Sequence, residues 1–283
     1  MSLPQTLIEP IVRIALAEDF GRAGDITTNA TIPLGATANW VMRLRQNGVI
    51  SGFDAAKLAL KLIDKSAKLE ILLGDGEKAQ KGDIIAKVQG SARSLLMAER
   101  TMLNFIGRMS GIATLTSQFV AAIAGTNAKI TDTRKTTPGL RAFEKQAVKH
   151  GGGTNHRFGL DDAILIKDNH IAAAGGIENA LKAAKANVGH LVPIEVEVDS
   201  IAQLLLALPF YPKCIMLDNF SLENLAIAVK KTREFAGNKI VLEASGGVNL
   251  ETVRAIAQTG VDVISVGALT HSAPNFDIGL DSE

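Results

Sequence analysis

From about residue 112 onward, hydrophobic and polar positions repeat as a short aliphatic run followed by a longer stretch with helical spacing. The apolar runs predict strands at 129–133, 163–166, 194–198, 214–217, 240–243 and 263–266. The stretches between them predict helices over 177–187, 201–207, 222–235 and 250–258. Alternating strands and helices form parallel sheets, and this regular repeat carries no dinucleotide fingerprint, which favours a closed or nearly closed α/β barrel.

Upstream the texture differs. Leu7, Ile8, Ile11, Val12, Ile14 and Ala15 mark an amphipathic helix over 5–19. A strand begins near Ala38, and Asn47-Gly48 is a hairpin signal leading into a second strand. A helix over 54–65 and a hairpin-like block over 69–90 follow. Ser91 or Ser94 then caps a long helix whose apolar stripe is Leu95, Leu96, Met102, Leu103, Ile106 and Met109. The change of pattern after Gly111 divides the chain into 1–111 and 112–270, and the tail 271–283 returns to the first domain as a strand. The 69–90 block is similar to the folded hairpins of biotin- or lipoyl-carrier domains. Neither Lys78 nor Lys81 has the flanking apolar residues a carrier lysine needs, so the block reads as a structural platform.

The predicted strands share a feature at their C-terminal ends. In order they finish on Arg134-Lys135, Lys167-Asp168, Glu197, Asp218, Ser245-Gly246-Gly247 and Gly267. In an α/β barrel those ends converge on one face, where such barrels place their active sites.

Charge sharpens the picture. The chain is nearly balanced, with 30 Lys+Arg against 29 Asp+Glu, which gives no surface for nucleic acid. Between Arg134 and Arg157, however, six cations (Arg134, Lys135, Arg141, Lys145, Lys149, Arg157) face one acid, Glu144, which marks a site for a small anion. Thr137 caps a helix with Pro138 at its first position, and Gly151 to Gly153 end it. Lys145 and Lys149, four apart on that helix, read as solvated. Arg134, Lys135, His156, Arg157 and Lys167 lie at turns or strand ends, where scaffolds present functional groups. Arg100, beside the stripe of the long helix, either lies along apolar surface or projects towards an anion held elsewhere, such as in a partner subunit.

Along the run IEVEVD, alternation puts Glu195, Glu197 and Asp199 on one face of a strand that is buried on both sides, and buried carboxylates need cations or a metal beside them. Glu197 and Asp218 are hard oxygen donors suited to Mg2+, which binds through one or two carboxylates plus substrate phosphates. The loops SGGVN and VGALT supply glycines whose N–H groups can approach a phosphate closely. The single cysteine, Cys214, lies in an apolar run and reads as a core residue of a protein from a reducing compartment. Acids near the N-terminus argue against a signal peptide, and no apolar run reaches membrane-spanning length, so the expected location is cytoplasmic.

Together TRKTTPGLR, KHGGGTNHRFGLDDAILIKDNH, IEVEV, MLDN, EASGG and ISVGALTHS resemble the quinolinate phosphoribosyltransferase family over almost the whole chain. The resemblance implies an N-terminal open α/β sandwich, an incomplete α/β barrel of the type II phosphoribosyltransferase kind, and a homodimer with sites between subunits. The implied reaction joins quinolinate to PRPP, giving nicotinate mononucleotide, pyrophosphate and CO2. Arg134, Arg157 and the partner-donated Arg100 would hold the quinolinate carboxylates, with Thr133 and His156 in the same pocket. Lys135 and Lys167 would lie between the substrates. Glu197 and Asp218 would steer Mg2+ and the ribose hydroxyls. Ser245, Gly246 and Gly247, with Val266, Gly267 and Ala268, would hold the 5′-phosphate. Two other readings stay open: an aldolase using Lys167 as a Schiff base, and a non-catalytic binder of a phosphorylated metabolite.

Overall fold

The computed structural model describes residues 2–282. Helix α1 (Gln5–Phe20) buries Ile8, Val12 and Leu16, spaced four apart along one side. Asp25 caps α2 (Ile26–Thr31) by accepting from the Thr28 N–H. Next come β1 (Thr37–Leu44), β2 (Gly48–Val49), α3 (Phe53–Ile63), β3 (Lys68–Ile71), β4 (Lys78–Ala79), β5 (Ile84–Ser91) and the long α4 (Ala92–Ala122), which starts straight after Ser91. The repeating half then runs β6 (Lys129–Thr131), α5 (Arg141–His150), β7 (Ile164–Ile166), α6 (Asp168–Ala173), α7 (Ile177–Asn187) and β8 (Ile194–Val198). It continues with α8 (Ile201–Ala207), β9 (Cys214–Asp218), α9 (Leu222–Ala236), β10 (Val241–Ser245), α10 (Val253–Gln258), β11 (Val263–Ser265), α11 (Ala268–His271) and β12 (Ile278–Ser282).

The chain divides into two units. The first comprises the residues up to Ser117, Thr136–Gly152 and the residues from Leu269 on. Its antiparallel sheet has the order β12-β1-β5-β3, so the C-terminal tail pairs with β1 from Trp40↔Ser282 to Leu44↔Ile278. With β5 and β12 on its two edges, β1 has no edge left for the strand that follows Asn47-Gly48. That segment, β2, leaves the sheet and pairs with β4, so the hairpin expected at Asn47-Gly48 does not form. The same ladder holds Lys78 within β4, which fits a platform better than a carrier tip. The stripe of α4 is inside: Leu95, Met102, Ile106 and Met109 are at most 1% exposed, each burial worth roughly 1.5–3 kcal/mol. The tail lies directly on this helix at glycines, since a Cβ on Gly111 would collide with the Pro274 carbonyl.

Residues 136–152, assigned by pattern to the barrel, belong to this first unit. Helix α5 starts at Arg141, later than expected, because Pro138, Gly139 and Leu140 form a turn. Thr137 does not cap the helix; its N–H (3.0 Å) and hydroxyl (2.8 Å) donate to Glu144. Lys145 is 2% exposed rather than solvated, on a helix whose residues from Phe143 to Val148 are all buried.

In the second unit all six strands are parallel in the order β6-β11-β10-β9-β8-β7. The first two strands of the repeat, β6 and β7, lie at opposite edges, so this is an incomplete barrel. The segment after α5 takes part of the missing place: Thr154 bridges Thr131, donating its N–H to the Ile130 carbonyl at 2.8 Å. Ile130, Val196, Ile215, Leu217, Leu242 and Ile264 fill the sheet and are at most 1% exposed.

Candidate active site

Four neighbouring strands, β7 to β10, end on polar groups as expected. Lys167 follows β7, and its Nζ stands 3.7 Å from Glu197 Oε2 on β8. Burial pushes the Glu197 carboxyl above the ordinary carboxylate range; Lys167 pulls it down, and the nearby Asp218 and Asp168 charges push it up again. Asp218 ends β9 in register with Ser245 on β10. Between them sits Asn219 in the left-handed region (φ 56), donating its N–H to the Ser245 carbonyl at 2.9 Å and its amide to Asp218 Oδ2 at 2.7 Å. Gly246 (φ +95) is required by this packing, because a Cβ there would run into Asn219. Gly247 (φ +61) faces open space.

A second group lies where the segment 154–157 fills the gap between β6 and β7. His156, Arg157, Glu195, Cys214 and Glu243 line a cavity of about 240 Å3 that reaches the starts of β8, β9 and β11. Arg157 donates from Nη1 to the Ala163 carbonyl at 2.8 Å. Burial, then the adjacent Arg134 guanidinium, depress the Arg157 pKa. The buried Nε atoms of Arg134 and Arg157 have no hydrogen-bond partner, so two cationic donors await an acceptor. His156 is committed on every side. Its main-chain N–H donates to Asp132 at 2.9 Å, its ring Nδ1 accepts the Arg157 main-chain N–H at 2.8 Å, and its ring Nε2 lies 3.0 Å from Glu195 Oε2 and 3.8 Å from Glu243 Oε1.

Of the other expected residues, Thr133 accepts the Lys135 N–H at 3.0 Å and Lys135 is exposed. Val266 is 1% exposed and its N–H is committed to the Thr131 carbonyl at 3.0 Å; it supports the last loop without offering a donor. Gly267 and Ala268 are half-buried. Arg100 lies exposed on α4, in the first unit. Sequence reasoning did not single out Asp132, Asn219 or Glu243; it named Asp168 only as part of a strand end and Glu195 only as a buried acid. The available signal for Glu243 was an acid inside the apolar run VLEAS.

Chemically, Glu197, Asp218 and Asp168 form an acidic group whose mutual repulsion raises Glu197, and their hard oxygens suit Mg2+. Lys167 is unlike a Schiff-base amine, since its side chain is 49% exposed and paired with an acid instead of desolvated in an apolar pocket. Cys214 is half-buried, and burial, then the Glu195 and Glu243 charges, push its thiol up, the opposite of an activated nucleophile. Among the described residues no helix is long and apolar enough to cross a membrane.

Comparison with known proteins agrees over the full length. The family described as "Quinolinate phosphoribosyl transferase, N-terminal domain" matches residues 25–110, and its C-terminal counterpart matches residues 112–281. A Mycobacterium leprae protein named nicotinate-nucleotide pyrophosphorylase [carboxylating] is 49% identical over 272 residues, 95% of each chain. The crystal structure of NadC from Streptococcus pyogenes is 37% identical with a TM-score of 0.94, covering 100% of this chain and 98% of that one. The nicotinate-nucleotide pyrophosphorylase of Ehrlichia chaffeensis is 41% identical with a TM-score of 0.93, and each chain is fully covered.

Proposed function

The chain belongs to the quinolinate phosphoribosyltransferase family, and from that premise we propose that it transfers the phosphoribosyl group of PRPP to quinolinate with decarboxylation. The products are nicotinate mononucleotide, pyrophosphate and CO2, and the reaction serves NAD synthesis. The observation that carries this reading for the site is the pair of buried arginine Nε donors left unpartnered at Arg134 and Arg157. Quinolinate presents two adjacent carboxylates, and planar guanidiniums hold carboxylates through charge-assisted, bidentate contacts.

The ring nitrogen attacks C1′ of the sugar; the N–C1′ bond forms as the C1′–O bond breaks, and pyrophosphate leaves with the electron pair. The C2–carboxylate bond then breaks, CO2 departs, and the pair left on C2 is stabilised by the adjacent pyridinium until a proton replaces it. No side-chain nucleophile is needed, so catalysis is positioning and charge stabilisation. Arg134 and Arg157 orient the diacid, with Thr133 and His156 around it. Lys135 and Lys167 lie between carboxylate and phosphate oxygens. Ser245, Gly246 and Gly247, with Gly267 and Ala268, receive the 5′-phosphate, and Val266 supports that loop. Glu197 and Asp218 would hold Mg2+, which when bound neutralises charge on the diphosphate.

The reading includes a homodimer in which Arg100 of the second copy reaches the diacid, acting in the cytoplasm. Its direct test is release of both CO2 and pyrophosphate from quinolinate plus PRPP. Absence of either product from folded protein supplied with Mg2+ defeats it.

A further inference from the structure

Glu195 and Glu243 meet one imidazole, that of His156, and Asp132 holds the main-chain N–H of the same residue. Asp132 follows β6, Glu195 is on β8 and Glu243 on β10, which are alternate strands of the sheet. In a tilted barrel, inward side chains of alternate strands share a layer. All three acids are buried, at 0%, 9% and 3% exposure; Glu195 and Glu243 face the His156 ring, and Asp132 accepts from its main-chain N–H.

The nitrogen and carboxylate atoms of His156, Glu195 and Glu243 lie within 4.8 Å of one another, close enough to crowd a cation. A metal on Nε2 would need the lone pair of that nitrogen. Here Nδ1 holds the lone pair, since it accepts the Arg157 N–H, and Nε2 carries the hydrogen. A proton, not a metal ion, therefore bridges these groups.

One N–H serves one carboxylate well. Glu195, at 3.0 Å, takes it, whereas Glu243 stands off at 3.8 Å with Oε1 buried and without a hydrogen-bond partner. A second buried anion in that place is costly, and holding a proton removes the cost. Burial first, then the Glu195 charge, push the Glu243 carboxyl up to about 7; His156 and a hydrogen bond from Ser265 oppose this, and Asp132 adds to it. The surrounding charges then decide the consequence. With Glu243 neutral, Glu195 is the anion facing Arg157 in the cavity, while Arg134 and the exposed Asp162 act on Arg157 from outside it. Cys214 is held as the neutral thiol by burial, and Lys213 is exposed at the edge. With Glu243 ionised, a second negative charge joins Glu195 in the cavity that Arg157 lines.

We propose that Glu243 is a positioning residue for the dicarboxylate substrate: as the neutral acid it lets Arg157, braced by His156, receive the diacid, and as the anion it repels it. This rests on the quinolinate assignment above and adds a residue that the assignment does not use. The KM for quinolinate then rises with pH, roughly tenfold from about pH 6 to about pH 8.5, while the KM for PRPP stays level. Above neutrality, quinolinate binding draws a fraction of a proton from solvent.

The test is calorimetric titration of quinolinate into the full-length protein near pH 8 in two buffers of different ionisation enthalpy. Steady-state kinetics of the wild type, Glu243→Gln and Glu243→Asp across the same pH range accompany it. Proton uptake in the wild type, and a low, pH-independent quinolinate KM in Glu243→Gln, are expected. Wild-type binding without proton uptake overturns the inference even if Glu243→Gln does not fold. So does a Glu243→Gln profile that follows the wild type, or one in which both KM values shift without flattening. A wild type that neither binds nor turns over quinolinate defeats the enzyme assignment itself, and this inference with it.

Discussion

Lys167 Nζ, just past the end of β7, and Glu197 Oε2 on β8 stand 3.7 Å apart, and this lysine is the cation that moderates an acid raised by its own burial and by Asp218. Removing the amine leaves Glu197, Asp218 and Asp168 repelling one another where the proposed reaction brings in a diphosphate. Lys167→Ala should lower kcat/KM for both substrates by about 100-fold or more, corresponding to about 3 kcal/mol of lost transition-state stabilisation. Steady-state kinetics with each substrate varied in turn decides it; a loss confined to one substrate would separate the lysine from the shared position.

Arg157 should act on one substrate only. Its unpartnered Nε suits a carboxylate, so Arg157→Ala should raise the quinolinate KM about 100-fold and leave PRPP binding nearly intact. Arg157→Lys should restore little, because an ammonium lacks the planar fork. Equal effects on both KM values would remove Arg157 from the diacid pocket.

Gly246→Ala combines a backbone at φ +95 with a collision against Asn219. The strain should cost about 1–3 kcal/mol and lower the melting temperature by a few degrees. It should also raise the PRPP KM, since the turn that carries Gly247 must shift. An unchanged melt with unchanged kinetics would show that the loop rearranges freely.

In the first unit, Glu144 is fully buried and takes hydrogen bonds from Thr137 and from Arg108 Nη2 at 2.8 Å. Breaking a buried ion pair from one side leaves a charge stranded, so Glu144→Ala should destabilise by about 3–5 kcal/mol. Urea titration of the single and double variants with Arg108→Ala checks this, and the double variant should lose much less than the sum of the singles.

Stability should also fall on mild acidification. His150 Nδ1 lies 2.8 Å from the buried Ser51 hydroxyl, and burial depresses its pKa despite the Asp75 charge. The unfolded chain therefore takes up a proton near its ordinary value of about 6.5 that the folded chain resists. The contribution is complete above that pH and shrinks as pH falls through it. Asp75, raised by burial, works in the opposite sense: its contribution is present at acid pH and is lost as pH rises through its folded value. His150→Asn should flatten the fall in melting temperature between about pH 7 and about pH 6. A variant that falls as steeply as the wild type would point to another group.

Much of the second unit was readable because a parallel strand is an apolar run with firm ends. The strand at Ile194–Val198 lies between Pro193 and the helix cap Ser200, and it was predicted to the residue. Helices Ile177–Asn187 and Ile201–Ala207 were equally clear. The polar strand ends were legible for the same reason, since each interrupts an apolar run.

What stayed hidden depends on partners distant in sequence. Asn47-Gly48 has hairpin chemistry, but β5 and β12 already occupy both edges of β1. Lys145 looks like half of a solvated pair until the packing of α5 buries it. Glu243 gives no periodic signal, because its importance comes from meeting Glu195 and His156 across the barrel.

The bridge between Thr131 and Thr154 has a consequence for how the enzyme tolerates change. The stretch carrying His156 and Arg157 stands in as a makeshift stave, gripped by β6 on one margin and by the carbonyl of Ala163 on the other. A deletion of one residue between Gly153 and Ala163 would therefore unseat His156 and Arg157 and open the seam together, whereas an added residue in the 188–192 connection would leave both untouched. Length in this short stretch is under a tighter constraint than sequence.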